Sequence, residues 1–327
     1  MQKEIKYLTI EEQIENLTAK GLLIKSKKTA RKYLCDIGYY KLINGYKKPF
    51  MFKQKNEDGT IIKKYYENTS IEDLFHLYEF DQNIKGLILK YISFIEVKVK
   101  SRMSDVLSQK FGIKEKEYLS VENFKPDSTS NKHKNNKKFL EIQKEIIDTI
   151  EHQKTKHPAI KWYSNNYNFY PFWVISNILT LGTISLLYGK MRQAEQNEIS
   201  RTFGVKSKLF ESMLMIMQLF RNACAHNEVI YNYKAYRSLS QNDIKPIYDA
   251  CKIEVNSKTG RYSKGVNDVF ALIIIFKVLL SKEKFANFLS QFNSALNSLN
   301  KKIDTQKFQE ILLAMGIVED LSILKNL

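Results

Sequence analysis

Apolar residues recur at steps of three and four along most of this chain, the period of a helix with one buried face. The first run opens at Thr9-Ile-Glu-Glu12. There a Thr hydroxyl and a Glu carboxylate three residues on satisfy each other's free backbone N–H, the form of a capping box. It predicts a helix to about Lys20, stopped by Gly21. Ser26 opens a second helix, and Gly38 is placed to end it. The segment IGYYKLINGYKKPF (37–50) that follows is dense in aromatics and lysines. Residues 50–66 break the helical period: β-rich flanks surround Asp58-Gly59, a strong turn signal, and predict a small hairpin. Its lysines (53, 55, 63 and 64, with 48 just before) suit either contact with phosphates or solvated strand edges that resist aggregation.

Thr69-Ser-Ile-Glu72 reads as a second capping box, opening a helix to about Phe111. Its stripe is Ile84, Ile88, Tyr91, Ile95, Val99 and Met103, and Gly86 is a place for it to bend. Residues 125–138, KPDSTSNKHKNNKK, have almost nothing to bury and read as a mobile basic loop. The helical pattern returns at Phe139. Residues 171–191 start with Pro171 and are largely apolar, which predicts one buried central helix. Residues 207–225 carry Phe210, Met213, Leu214, Met217, Phe220 and Cys224 on one stripe. Two further helices fit 266–298 and 305–325. There is no internal repeat and no Gly-rich phosphate loop. The reading is an all-α bundle in which residues 1–68 form an N-terminal helical segment with the hairpin, and 69–327 the main helical domain. The scarcity of Gly (12) and Pro (5) agrees with a helical fold.

Charge changes the picture. Fifty-two Lys and Arg stand against 35 Asp and Glu, a net +17. Such an excess repels itself unless a polyanion is a normal partner, although a lysine-rich proteome produces the same count. Nineteen Tyr and 19 Phe supply faces on which unpaired bases stack. Cys35, Cys224 and Cys251 form no CxxC pair and read as reduced thiols rather than a disulfide framework or a zinc site. The N-terminus has acidic residues where a signal peptide needs an apolar run. The longest apolar stretch, Val269 to Leu280, contains Lys277 and falls short of the roughly 20 residues that span a bilayer. These features predict a soluble, cytoplasmic protein without a membrane partner.

The chemistry concentrates in LFRNACAHNEVIYN, 219–232. Arg221 follows Met217 by four residues, so it lies on or beside the apolar face, where a charge is costly unless paired or set in a polar cleft. A guanidinium in a cleft grips a phosphate with two parallel hydrogen bonds. His226 lies five residues on, about 140° round an ideal helix, whereas Asn222 and His226 share a face. For Arg221 and His226 to meet one phosphate, the helix must end or distort near Ala225, or a second subunit must take part. An arbitrary R-x4-H is more often a capping His beside a salt-bridged Arg. Here Asn222 after the Arg, the small Ala223 and Ala225, and the basic helical setting favour function. Glu96 has the options of a structural salt bridge or a pairing with Arg221 or Arg102. His152 and His157 lack an HExxH glutamate and read as exposed surface, His76 reads as a packed or capping residue, and Cys224 with His226 makes a poor metal site, so no metal or cofactor is expected.

The segments LTIEEQIENLTAKGL (8–22), IGYYKLINGYKKPF (37–50), LYEFDQNIKGLILKYISFIEVKVKSRM (77–103), YPFWVISNILTLGTISLLY (170–188) and RNACAHNEVIYN (221–232) carry a resemblance over nearly the whole chain. The sequence resembles the Abi-like (AbiD/AbiF) abortive-infection proteins of bacteria, a branch of the HEPN superfamily of helical ribonucleases. The R-[polar]-x3-H motif of that superfamily is intact, with Asn222 as the polar residue. The resemblance implies a phage-defence toxin that cleaves RNA without metal, with Arg221, Asn222 and His226 as catalytic residues and Arg221 on the phosphate. It also implies similarity to the paired nuclease domains of type VI CRISPR effectors, and in some relatives control by a structured small RNA. Because one motif supplies one His and the reaction needs a base and an acid, a homodimer is expected. Two other readings stand beside it: a non-catalytic RNA-binding protein that forms a ribonucleoprotein, and a helical scaffold whose motif holds a dimer together.

Overall fold

A computed structural model describes residues 7–55, 59, 61–127, 136–240, 242–318 and 320–326. Helix α1 (Ile10–Ala19) begins at the expected capping box: the Glu12 carboxylate accepts from the Thr9 amide at 2.7 Å and Thr9 Oγ1 from the Glu12 amide at 3.3 Å. Helix α2 (Lys27–Ile37) runs from an N-capping Ser26 to Gly38, as the sequence predicts. A single wide π-turn (Tyr40–Asn44) and a short 3₁₀ turn (Lys48–Phe50) lead into strands β1 (Met51–Lys55) and β2 (Ile61–Tyr65), the predicted antiparallel hairpin. Asp58 of its turn lies outside the described residues. The register sets Lys53 directly opposite Lys63, a like-charged cross-strand pair.

The organising element is α3 (Ile71–Phe111), 41 residues long and continuous through Gly86. Its start differs by one residue from the expected frame. Ser70, not Thr69, is the N-cap, and the Asp73 carboxylate accepts from the Ser70 amide and hydroxyl at 2.7 and 2.9 Å. Thr69 is committed elsewhere, its carbonyl accepting from the Leu23 amide at 2.8 Å while Leu23 O accepts from the Ile71 amide. The predicted stripe from Ile84 to Met103 is buried along its whole length.

The short α4 (Glu115–Tyr118) precedes the basic loop, of which residues 128–135 lie outside the described residues. Helices α5 (Lys137–Gln153) and α6 (Pro158–Asn166) follow. The expected single helix over 171–191 is instead two, α7 (Phe172–Ile175) and α8 (Leu181–Lys190). Polar side chains stabilise the break: Asn177 Nδ2 donates to Trp173 O at 2.9 Å, Thr180 caps α8, and Lys100 of α3 donates to Leu179 O at 2.8 Å. After α9 (Gln193–Arg201) comes α10 (Ser207–Ala225), whose expected stripe from Phe210 to Cys224 is buried. Helix α11 (Lys245–Ala250) and a two-residue ribbon, β3 (Val255–Asn256) with β4 (Arg261–Tyr262), link to the C-terminal helices. The pattern over 266–298 also divides, into α12 (Val269–Leu279) and α13 (Lys282–Asn300), because Ser281 caps a new helix. The pattern over 305–325 divides into α14 (Thr305–Ala314) and the short α15 (Ile323–Asn326).

α3 packs against α10 on one side and α13 on another, with α7 and α9 along its C-terminal half. Tyr91 meets Phe288 of α13 edge-on at 5.2 Å, and Phe288 meets Phe276 of α12 at 4.9 Å. Lys98 lies over Phe203, which packs on Phe210 near the start of α10, while the far end of α10 reaches Lys85. The two helices therefore run antiparallel. Among the described residues, no helix is long and apolar enough to cross a membrane.

Candidate functional site

The Arg221–His226 stretch forms the last turn of α10 and the turn that ends it. Asn227 adopts a left-handed conformation (φ 56), which Asn tolerates better than most residues because its short amide bonds locally. The Asn227 amide donates to Cys224 O at 3.1 Å and the Glu228 amide to Ala223 O at 2.8 Å, the paired bonds of a Schellman terminus. The helix thus stops where the motif requires a change of direction.

That turn is pinned from behind by α3. Asn227 Oδ1 accepts from Lys85 Nζ at 2.8 Å and from Gln82 Nε2 at 3.0 Å. Lys85 is paired with Asp81, one turn earlier, at 2.9 Å. Asp81 is fully buried, and its carboxylate also accepts from the amides of Ile230 (3.0 Å) and Tyr231 (2.7 Å) and from the Tyr46 hydroxyl (2.9 Å). A buried carboxylate is tolerable only when its lone pairs are met in this way. Burial and the Asp81 charge together push the Tyr46 hydroxyl far above its ordinary pKa, so it acts as a permanent donor. The segment carrying Tyr46 lies tight against the turn: a Cβ on Gly45 would come within 3.0 Å of Val229 Cγ2.

The outer side differs. Arg221 and His226 are exposed and Asn222 is half-buried. Among the described residues, no carboxylate lies within salt-bridge distance of either Arg221 or His226. Arg221 Nη1 stands 3.5 Å from Asn222 Oδ1, a long contact, and this turns Asn222 toward the guanidinium. Arg221 therefore lies farther out from the apolar stripe than its spacing from Met217 suggests. His226 keeps near-helical angles (φ −85, ψ 9) as the C-cap, and the chain leaves the helix only at Asn227. The side chains of Arg221 and His226 consequently leave the axis about 140° apart. The helix ends at the expected place, yet the ending alone does not turn the two groups toward one point.

Cys224 is buried beneath this turn, and burial, then the Asp81 charge, raise its thiol to about 12. It is a neutral packing residue at ordinary pH, neither nucleophile nor metal ligand. Glu96 pairs with Lys100 at 2.7 Å and Arg102 with Asp105 at 2.9 Å, so the pairing of Glu96 with either arginine is replaced by the structural bridge. His152 Nε2 lies 2.7 Å from Lys156 and His76 3.7 Å from Glu79, both remote in sequence from the α10 terminus. Among the described residues, no group of three His, Cys, Asp or Glu side chains stands ready to hold a metal.

A family model described as Abi-like protein matches residues 32–232, more than half of the chain. The chain belongs to the Abi-like family. The matched region begins within α2 and ends just after Tyr231, so it holds both the outer residues of this Abi-like site and the Tyr46, Asp81 and Lys85 groups behind it. The family description connects it with abortive infection. Neither the curated proteins nor the solved structures contain a match to the chain.

Sequence reasoning missed Asp81, Gln82, Lys85, Tyr46 and Asn227. The one available signal was Asp81 and Lys85 at i and i+4 amid an apolar stripe, a spacing that points to a buried ion pair.

Proposed function

We propose that this Abi-like protein is a HEPN-type endoribonuclease that cleaves RNA without a metal ion and acts in the cytoplasm as an abortive-infection toxin. The observation that carries this reading is an arginine and a histidine, exposed and without acidic partners, at a helix terminus whose backbone is fixed by the buried Asp81–Lys85 pair and its hydrogen bonds. The fixed turn holds both residues at one place on the surface, where a guanidinium is open to a phosphate that approaches from solvent.

RNA supplies its own nucleophile. The 2′-oxygen attacks phosphorus and its proton passes to a base. Arg221 neutralises the non-bridging oxygens, and Asn222 orients the guanidinium. The P–O5′ bond then breaks as an acid protonates the departing 5′-oxygen. The products are a 2′,3′-cyclic phosphate and a 5′-hydroxyl. Histidine suits either proton role. Base and acid stand on opposite sides of phosphorus, and one chain brings one His226, so two copies face each other in a homodimer. The divergence of Arg221 and His226 on a single helix supports this, since facing copies complete what one copy splits. A cognate small RNA, bound through the basic surface, restrains the activity.

The test is purified wild-type protein, stripped of nucleic acid at high salt, incubated with labelled RNA in EDTA. Cleavage with cyclic-phosphate ends is the expected result. RNA bound but uncut, with a single small RNA co-purifying, would replace the nuclease with an RNA-binding protein.

A further inference from the structure

The segment Tyr40–Asn44 is a single π-turn, a widened turn that recurs at functional sites because it re-aims one side chain out of helical sequence. It is anchored to the α10 terminus at both Gly45, against Val229, and Tyr46, which donates to Asp81 and stacks on Tyr231 at 6.1 Å. The side chain this turn carries to the site is Lys41. The Gly45 amide donates to Lys41 O, so Lys41 lies one turn before Gly45 on the same face, the face that meets Val229, three residues after His226.

Its surroundings do not satisfy it. Asp81 is already committed to Lys85, Tyr46 and two backbone amides. Glu228 is exposed, and among the described residues no carboxylate lies within 4 Å of the Lys41 ammonium. Burial, and then repulsion from Lys85, lower its pKa below the ordinary lysine value, against weaker support from Glu228 and Asp81. A half-buried cation held close to another cation gains from an anion that approaches from solvent.

We propose that Lys41 is a substrate-binding residue of this site, gripping a backbone phosphate of single-stranded RNA that passes the α10 terminus. The proposal rests on the RNA-cleaving reading for its ligand but is tested by binding alone. It gives the N-terminal segment 37–50, rich in aromatics and lysines, a part in the site rather than a separate existence.

The experiment is equilibrium binding of a labelled, unstructured RNA oligonucleotide to the full chain in the His226→Ala background, across a KCl series. Lys41→Met is expected to weaken binding about tenfold and to lower the slope of log affinity against log salt by about 0.7, the value for one lost contact to a single strand. Lys41→Arg keeps both, and Lys161→Met, on exposed α6, changes neither. Equal slope and affinity for Lys41→Met and its parent would overturn the proposal, as would a loss of the same size for Lys161→Met. If wild type cuts no RNA yet the Lys41 effect appears, the nuclease reading fails and the Lys41 assignment stands. If wild type cuts RNA and Lys41→Met binds unchanged, only the Lys41 assignment fails.

Discussion

On the inner side of the turn after α10, the charges are paired: Asp81 takes four donors, and Asn227 joins Lys85 and Gln82 to the backbone turn. On the outer side, less than a helical turn away, Arg221 and His226 stand in solvent without acidic partners. The turn that ends α10 thus separates groups that hold the fold from groups left available to a ligand. The contrast teaches which substitutions act on stability and which on chemistry, since a paired buried charge and an unpaired exposed one fail in different ways when removed.

The largest effect belongs to the inner side. Asp81→Ala strands Lys85 and two amides in the interior, and urea unfolding should show a loss of about 3–5 kcal/mol. Asp81→Ala that unfolds like wild type would dissolve the distinction between the two sides. On the outer side, Arg221→Ala should leave the unfolding midpoint in place while single-turnover cleavage of RNA falls about 10²- to 10³-fold. If gel filtration instead showed a changed oligomeric state with RNA affinity intact, Arg221 would be an interface residue and the protein a scaffold.

Asn227 sharpens the comparison because it belongs to both sides. Asn227→Ala loses the contacts to Lys85 and Gln82 and keeps a Cβ in left-handed backbone without the local amide bonding that makes Asn tolerable there. Asn227→Gly loses only the contacts. Thermal melts should rank wild type above Gly above Ala, with about 1 kcal/mol between the two variants. The smallest effect is a thiol count: a thiol reagent at pH 8 should modify exposed Cys35 quickly and leave buried Cys224 and Cys251 untouched in the native state. Because the folded state holds the Cys224 proton to about 12, against 9.0 for a free thiol, its stabilising contribution is complete below pH 9. That contribution is lost as pH climbs from there toward 12. Native-state modification of Cys224 at pH 8 would mean that the inner side opens.

Helix existence was legible wherever one local pattern decided it. Thr9 with Glu12, and Ser26 with Gly38, mark their helices because caps act within four residues. Thr69-Ser-Ile-Glu-Asp contains two overlapping capping frames, and spacing cannot choose between them; the bond from Leu23 to Thr69 O does. The breaks at Asn177–Thr180 and at Ser281 were hidden for a related reason, since an apolar run reads the same whether one helix or two bury it. At the site, Arg221, Asn222 and His226 are close in sequence and were visible as a motif. Asp81 reaches Ile230 across 149 residues, a pairing that no window on the sequence contains. Lys41 belongs to the same class, brought in by a π-turn that its own sequence does not announce.

The proposed function gives the chemistry to exposed His226 and leaves the buried network to hold the turn. It is tested most directly by measuring His226→Ala beside wild type, in EDTA, for thermal midpoint, RNA affinity and single-turnover cleavage. The midpoint should stay unchanged and binding should be retained, while cleavage should fall about 10²-fold or more. Cleavage by His226→Ala at the wild-type rate would contradict it.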